Sequence, residues 1–222
     1  MAIPVSAARR SSFGKKHALW LLFGLMTLFV IYQRDIALLD SHSFLRQRYA
    51  PIPWLMFLHG IPGAVALVLG VFQFSTRLRQ RYRKLHRVLG RIYVGCVLVS
   101  APVAVAVAVN LPVPTLLSAS IIQSTGWIVT TLTGLYCIRT GRVQQHREWM
   151  VRSYPFAAVF VVARVIQAIP AVERAGLMGI VESVWGVIAV ACFLPSFVLA
   201  WQSMPAGKRG ATTKVRTATA QS

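Results

Sequence analysis

The chain has 222 residues, of which 56% are hydrophobic and only 13% are charged, and its formal net charge is +19. Soluble globular domains carry about 25% charged residues, so this composition excludes a soluble domain and is typical of a membrane protein. The basic residues lie between long apolar blocks, so no soluble unit is left to present a basic face, and we expect no nucleic-acid partner.

Apolar blocks follow one another along the chain. A transmembrane helix needs about 20 apolar residues, so the blocks predict an all-α, polytopic transmembrane helix bundle of about six spans. The spans are predicted at residues 18–33, 52–75, 88–109, 115–138, 154–170 and 178–202, with the fifth helix beginning near Val143. They form one membrane domain, 18–202, between a basic N-terminus, 1–17, and a basic tail, 203–222, both of which we expect to be disordered.

Two of these blocks have a competing interpretation. The first follows a charged segment, as the apolar part of a signal peptide does, but no small-residue cleavage site follows it, so we interpret it as an uncleaved span. In the third, alanine and valine alternate from Val103 to Val109 with the period of a strand. An open strand would leave its backbone groups unpaired in lipid, so we predict a helix there.

The lysines and arginines predict the orientation of the bundle. With the N-terminus inside, 19 of the 24 fall in the inner segments, Arg164 falls within a span, and the outer segments contain only Arg34, Arg46, Arg48 and Arg174. This bias predicts cytoplasmic N- and C-termini and a multi-pass protein of the bacterial inner cell membrane. The same residues are expected to attract anionic lipid headgroups at the cytoplasmic face.

Four polar residues fall in the outer halves of four different spans. They are His59, Gln123, Arg164 and Glu182. Ionisable residues inside a membrane are costly and mark functional sites, so this set predicts a site for a small ligand or a proton. The alternative is structural, with Arg164 and Glu182 as an ion pair and His59 hydrogen-bonded to Gln123.

A second polar set lies at the inner ends of the spans. His86, Gly90 and Tyr93 are spaced to share one face of the third span, and His146 precedes the fifth. A glycine one turn from a histidine leaves room for a flat ring, so His86 and His146 could ligate the iron of one haem b. Arg87 and Arg147 could hold its propionates. The alternative is that the arginines bind lipid phosphates and the histidines are interfacial hydrogen-bonding groups.

The chain also resembles an uncharacterised bacterial family of predicted integral membrane proteins with a domain of unknown function. The shared residues run from HGIPGAVALVLGVFQF (59–74) through KLHRVLGRIY (84–93) to HREWMVRSY (146–154), and the resemblance covers roughly residues 54–170. Arg164 looks like that family's arginine in the following span. The resemblance implies a membrane bundle and implies no activity.

A weaker similarity links the chain to the di-haem b-type membrane cytochromes. It rests on an HRVLG segment that opens a span (86–90) and on histidines distributed over successive helices. The chain departs from that group because span four lacks a histidine and because His146 precedes its apolar block. The similarity therefore implies one haem at most.

Three functions remain open from the sequence. The first is a redox protein with one haem between His86 and His146, and the second is a non-enzymatic binding or transport protein that uses the outer set. The third is a membrane enzyme, which the absence of GxSxG, HExxH and Walker A motifs disfavours. A chain of this length would have to form a homodimer to enclose a transport path.

Overall fold

The computed structural model describes residues 15–30, 32, 52–111 and 113–203. Within these ranges the chain forms helices and no strand. The helices are α1 (Lys15–Val30), α2 (Pro53–Gln73), α3 (Thr76–Arg81), α4 (Arg83–Val109), α5 (Pro114–Arg139), α6 (Val143–Gln167), α7 (Pro170–Arg174) and α8 (Gly176–Ser203). The all-α prediction is thereby confirmed, including the segment of alternating alanine and valine, which is helical to Val109.

Five helices, α2, α4, α5, α6 and α8, are long and apolar enough to cross a membrane. The first predicted span corresponds to α1, whose 16 residues are fewer than the roughly 20 that a bilayer requires. A multi-pass membrane protein is therefore established, whereas the sixth span and the cytoplasmic termini stay predictions. The disordered segments, predicted at 1–17 and 203–222, lie almost entirely outside the described residues.

Proline and glycine determine where several helices begin. Pro53, Pro114 and Pro170 lie at the starts of α2, α5 and α7, where the missing backbone N–H costs no intrahelical hydrogen bond. Gly141 precedes α6 with a φ of 77°, a left-handed conformation that other residues rarely adopt. The fifth predicted span therefore begins at Val143, as expected, and ends at Gln167, three residues earlier than predicted.

Helix α6 lies at the centre of the bundle. It packs against α1, α2, α5 and α8, while α4 packs between α2 and α5. From Glu148 to Gln167 no residue of α6 is exposed, as expected for a helix that is surrounded by others. The other membrane-crossing helices direct large apolar side chains outwards, where lipid would cover them.

Glycines on α2 and α5 let large side chains of α6 approach closely. A Cβ atom at Gly70 would collide with the ring of Tyr154, and one at Gly126 would lie 2.7 Å from the ring of Phe156. Small residues at such contacts are the usual means by which membrane helices pack tightly. These contacts hold α6 at a fixed height between α2 and α5, and this height positions the polar side chains described next.

Candidate functional site

His59 on α2 and Ser100 on α4 form a closed hydrogen-bonded pair. The Ser100 hydroxyl donates to the His59 carbonyl at 2.9 Å. The His59 Nδ1 atom lies 3.0 Å from the Ser100 carbonyl and 3.2 Å from its hydroxyl oxygen. Because the carbonyl only accepts, Nδ1 must carry the hydrogen, and Nε2 is then the acceptor of the neutral ring.

An internal cavity of about 40 Å³ lies beside this pair. Its polar lining comes from Thr27, His59, Ser100, Gln123 and Trp127, and apolar side chains complete it. A water molecule needs about 15 Å³ of such volume, so the cavity has room for two or three waters or for a ligand of a few atoms. Two residues of the predicted outer site, His59 and Gln123, thus line one cavity.

Gly63 lies one turn after His59, a spacing that the sequence analysis linked to room for a flat ring. A Cβ atom at Gly63 would lie 3.1 Å from the Ser100 hydroxyl oxygen, so the glycine makes room for a side chain of α4. Gln123 does not bond to His59, since its amide donates to the Phe156 carbonyl at 3.3 Å. The structural alternative for His59 is therefore corrected: its partner is Ser100, which the sequence analysis did not single out.

Arg164 is connected to this region through an aromatic ring. Its guanidinium lies 5.1 Å from the ring centre of Phe160, and the His59 ring meets the same ring edge-on at 6.2 Å. Arg164 also donates to Gln167 at 3.2 Å, and the Gln167 amide donates to the Ser183 hydroxyl at 3.0 Å. This chain of contacts extends from α6 to α8.

Glu182 lies apart from the cavity. It is exposed and lines a second, open pocket of about 340 Å³ with Ser183 and residues of α7 and α8. The structure therefore divides the predicted outer site between two pockets. Arg164 and Gln167 connect them, since Arg164 contacts Phe160 of the first pocket and Gln167 bonds to Ser183 of the second. The ion pair between Arg164 and Glu182 stays a prediction.

A buried hydroxyl cluster occupies the middle of the bundle. It consists of Tyr93, Thr131 and Ser153, which come from α4, α5 and α6. The Ser153 hydroxyl lies 2.9 Å from that of Tyr93 and 2.7 Å from that of Thr131, and the Trp127 indole donates to Tyr93 at 3.2 Å. Because these side chains are almost completely buried, each bond replaces one that water would otherwise supply.

The two histidines of the inner polar set, His86 and His146, differ in their hydrogen bonding. The His146 Nδ1 atom donates to the Gly134 carbonyl at 2.8 Å, which leaves Nε2 as its acceptor. The buried His86 Nδ1 and Gln73 Nε2 atoms have no hydrogen-bond partner among the described residues. The two histidines are close enough to interact electrostatically, as are His86 and Arg79.

The remaining inner residues are divided between two environments. Gly90 lies near Gln73, because a Cβ atom there would be 3.5 Å from Gln73 Oε1. Tyr93 shares a helix face with His86 but belongs to the hydroxyl cluster. Arg87 and Arg147 are exposed at the end of the bundle. The described residues contain no group of three or more histidine, cysteine or acidic side chains that could hold a metal ion.

Sequence reasoning missed Ser100, Trp127, Thr131 and Ser153, because uncharged side chains are tolerated in membrane helices and carry little signal singly. Spacing was the available signal. His86, Tyr93 and Ser100 recur every seven residues on α4, which places them on one face. On α5, the residues from Gln123 through Trp127 and Thr131 recur every four residues. Each series directs polar groups at the neighbouring helices.

Comparison with known proteins gives one match. The profile of a family described as "Predicted membrane protein (DUF2306)" matches residues 56–204, which include α3 to α8 whole and all but the first three residues of α2. The match extends beyond residue 170, where the resemblance noted from the sequence ends. Searches of the curated proteins and of the solved structures found no match. The chain belongs to the DUF2306 family of predicted membrane proteins.

Proposed function

We propose that the protein is a non-enzymatic binding or transport protein whose internal cavity takes up a proton or a ligand of a few atoms. The cavity beside His59 is the observation that supports this function. Most ligand pockets for drug-sized molecules measure about 300–1,000 Å³, so a cavity of about 40 Å³ is too small for a nucleotide, a lipid or a sugar. Hydrated protons and very small polar molecules fit it.

His59 is the group that would accept the proton. Its Nδ1 hydrogen is held by Ser100, so the ring has a fixed orientation and one free acceptor, Nε2. Gln123 lines the cavity and would hydrogen-bond the water or ligand beside His59 through its Oε1 or its second amide hydrogen. In this proposal the bundle lies in a bacterial inner membrane with its basic end in the cytoplasm, as the distribution of lysine and arginine favours.

Proton flux into liposomes tests this function. The protein is reconstituted with a pH-sensitive dye inside the vesicles, and a potassium gradient with valinomycin provides the driving potential. His59→Asn should reduce the flux at least about 10-fold, because the asparagine amide can replace the Nδ1 donor but cannot take up a proton. His86→Asn is the matched control and should keep the flux. Equal flux in the wild type and in His59→Asn would reject the proposal.

A second candidate is a single haem b between His86 and His146. The bond from His146 Nδ1 to the Gly134 carbonyl favours it, because metal-binding histidines usually donate their other nitrogen to such a partner. Arg87 and Arg147 would hold the propionates, and the haem would supply one-electron chemistry. Absorption spectra of the purified protein test it: a Soret band that disappears in His86→Asn supports haem, and a colourless protein from haem-replete cells rejects it.

A further inference from the structure

Two unpaired polar atoms are buried at the inner end of the bundle, the end that carries His86 and His146. They are Gln73 Nε2, at the last residue of α2, and His86 Nδ1, in the first turn of α4. No other side-chain nitrogen or oxygen buried in the described part of the chain lacks a hydrogen bond. An unpaired buried polar group costs about 1–3 kcal/mol, so a partner from outside the chain would stabilise this region.

The two atoms belong to one place in the fold. Gly90 lies one turn beyond His86 on the same face of α4, and the Gln73 side chain approaches Gly90. The short helix α3 joins α2 to α4, so Gln73 and His86 lie on either side of one short connection. One bound group could therefore accept from both side chains.

The surrounding charge selects an anion as that group. Residues 76–91 contain seven lysines and arginines and no acidic residue. The charge of Arg79 acts on His86 directly. Residues 139–152 at the same end contain one acidic residue, Glu148, which accepts a hydrogen bond from Gln144 on its own helix at 2.9 Å. A cation would meet repulsion here, whereas an anionic oxygen would meet a positive field, the Gln73 amide donor and a His86 nitrogen that is a donor in one neutral tautomer and in the charged ring.

We propose that Gln73 Nε2 and His86 Nδ1–H donate to one phosphate oxygen, and that Arg79 neutralises its charge. Gln73 is the last residue of one candidate membrane span and His86 lies in the first turn of the next, at the end of the bundle that we expect to face lipid phosphates. The ligand is therefore a phosphate group, carried by a lipid headgroup or free in solution. The site is independent of the outer cavity, and it shares His86 with the haem candidate.

Thermal unfolding of the purified protein in a non-ionic detergent tests the site. The probes are phosphatidylglycerol, with diacylglycerol as the control that lacks phosphate, and inorganic phosphate, with chloride at equal ionic strength as the control. We expect one of the two phosphate probes to raise the melting temperature of the wild type by about 3 °C or more beyond its control. Phosphatidylglycerol alone would identify a lipid, and inorganic phosphate a free anion.

Four variants connect the shift to the two donors. Gln73→Met and His86→Leu should abolish it, while His86→Asn should retain it, because the asparagine amide replaces the Nδ1 donor. Gln80→Met makes the same glutamine-to-methionine change at an exposed position of α3 and should also retain it. Gln73→Glu offers a second way to remove the donor if Gln73→Met does not fold. No shift in the wild type with either probe, or an equal shift in a folded Gln73 variant, would overturn the proposal.

Discussion

Within the described part of the chain, buried polar side chains have hydrogen-bond partners near the outer end of the bundle, whereas two of them have an unpaired atom at the inner end. Near the outer end, His59, Ser100 and Gln123 bond to one another or to backbone carbonyls. At the inner end, Gln73 and His86 each keep a buried atom without a partner among the described residues. The fold supplies the partners of the first group, whereas a ligand must supply those of the second. The outer cavity therefore has a fixed shape, and the inner end gains stability only on binding.

The polar groups at both ends depend on the position of α6 along the bundle axis. Displacing this helix should therefore have the largest effect on stability. In Gly70→Ala the new Cβ atom collides with the ring of Tyr154, whose hydroxyl donates to the Leu67 carbonyl at 3.1 Å. We expect a loss of about 3 kcal/mol, measured by unfolding in mixed micelles with SDS and followed by circular dichroism. Gly95→Ala is the control, because a Cβ atom at Gly95 meets nothing within 4 Å. Equal stability of the two variants would mean that α6 is free to shift.

The hydroxyl cluster extends the fully paired region to the middle of the bundle, and removing one hydroxyl tests it. Thr131→Val leaves Ser153 without one of its two side-chain partners, so we expect a loss of about 1–2 kcal/mol in the same unfolding assay. Thr133→Val removes a hydroxyl that bonds only within α5, to the Val129 carbonyl at 2.8 Å. This control should change stability by less than about 0.5 kcal/mol, and an equal loss in both variants would contradict a special role for the cluster.

The sequence predicted the helices well because each one follows from a local cause. Apolar length determines the spans, and Pro53, Pro114 and Gly141 determine where helices begin. The exceptions are the short helices α3 (Thr76–Arg81) and α7 (Pro170–Arg174), which lie almost entirely between predicted spans. Proline at a helix start is favourable, and this local effect separates α7 from α6.

The site was predicted only in part, because partners depend on how helices are rotated against one another. His59 and Gln123 were correctly grouped in the outer half, and the structure lets them line one cavity. The partner of His59 is Ser100, which lies 41 positions along the chain and carries no charge to reveal it. Glu182 was placed in the same outer half but lines another pocket, because depth says nothing about which face of a helix a residue occupies.

The outer end should also show pairing between Arg164 and Gln167. Single changes of either residue to Met should each cost about 1–2 kcal/mol, and the double variant should cost about 1 kcal/mol less than their sum, because the bond is lost only once. A strictly additive double variant would show that the bond contributes nothing. The same cycle with Glu182→Leu in place of the Gln167 change tests the predicted ion pair, since coupling there requires the two charges to meet.

The smallest effect is expected at Gly90, and it distinguishes the two ligands considered for the inner end. In Gly90→Ala the new Cβ atom would lie 3.5 Å from Gln73 Oε1, an ordinary contact, and alanine is favoured over glycine within a helix. Stability in the unfolding assay should therefore be unchanged or rise by about 0.5 kcal/mol, with the phosphate-dependent shift retained. A haem packed flat against α4 would use the space that this methyl group fills, so its Soret band should weaken. Loss of the phosphate-dependent shift in this variant would contradict the arrangement of donors proposed for Gln73 and His86.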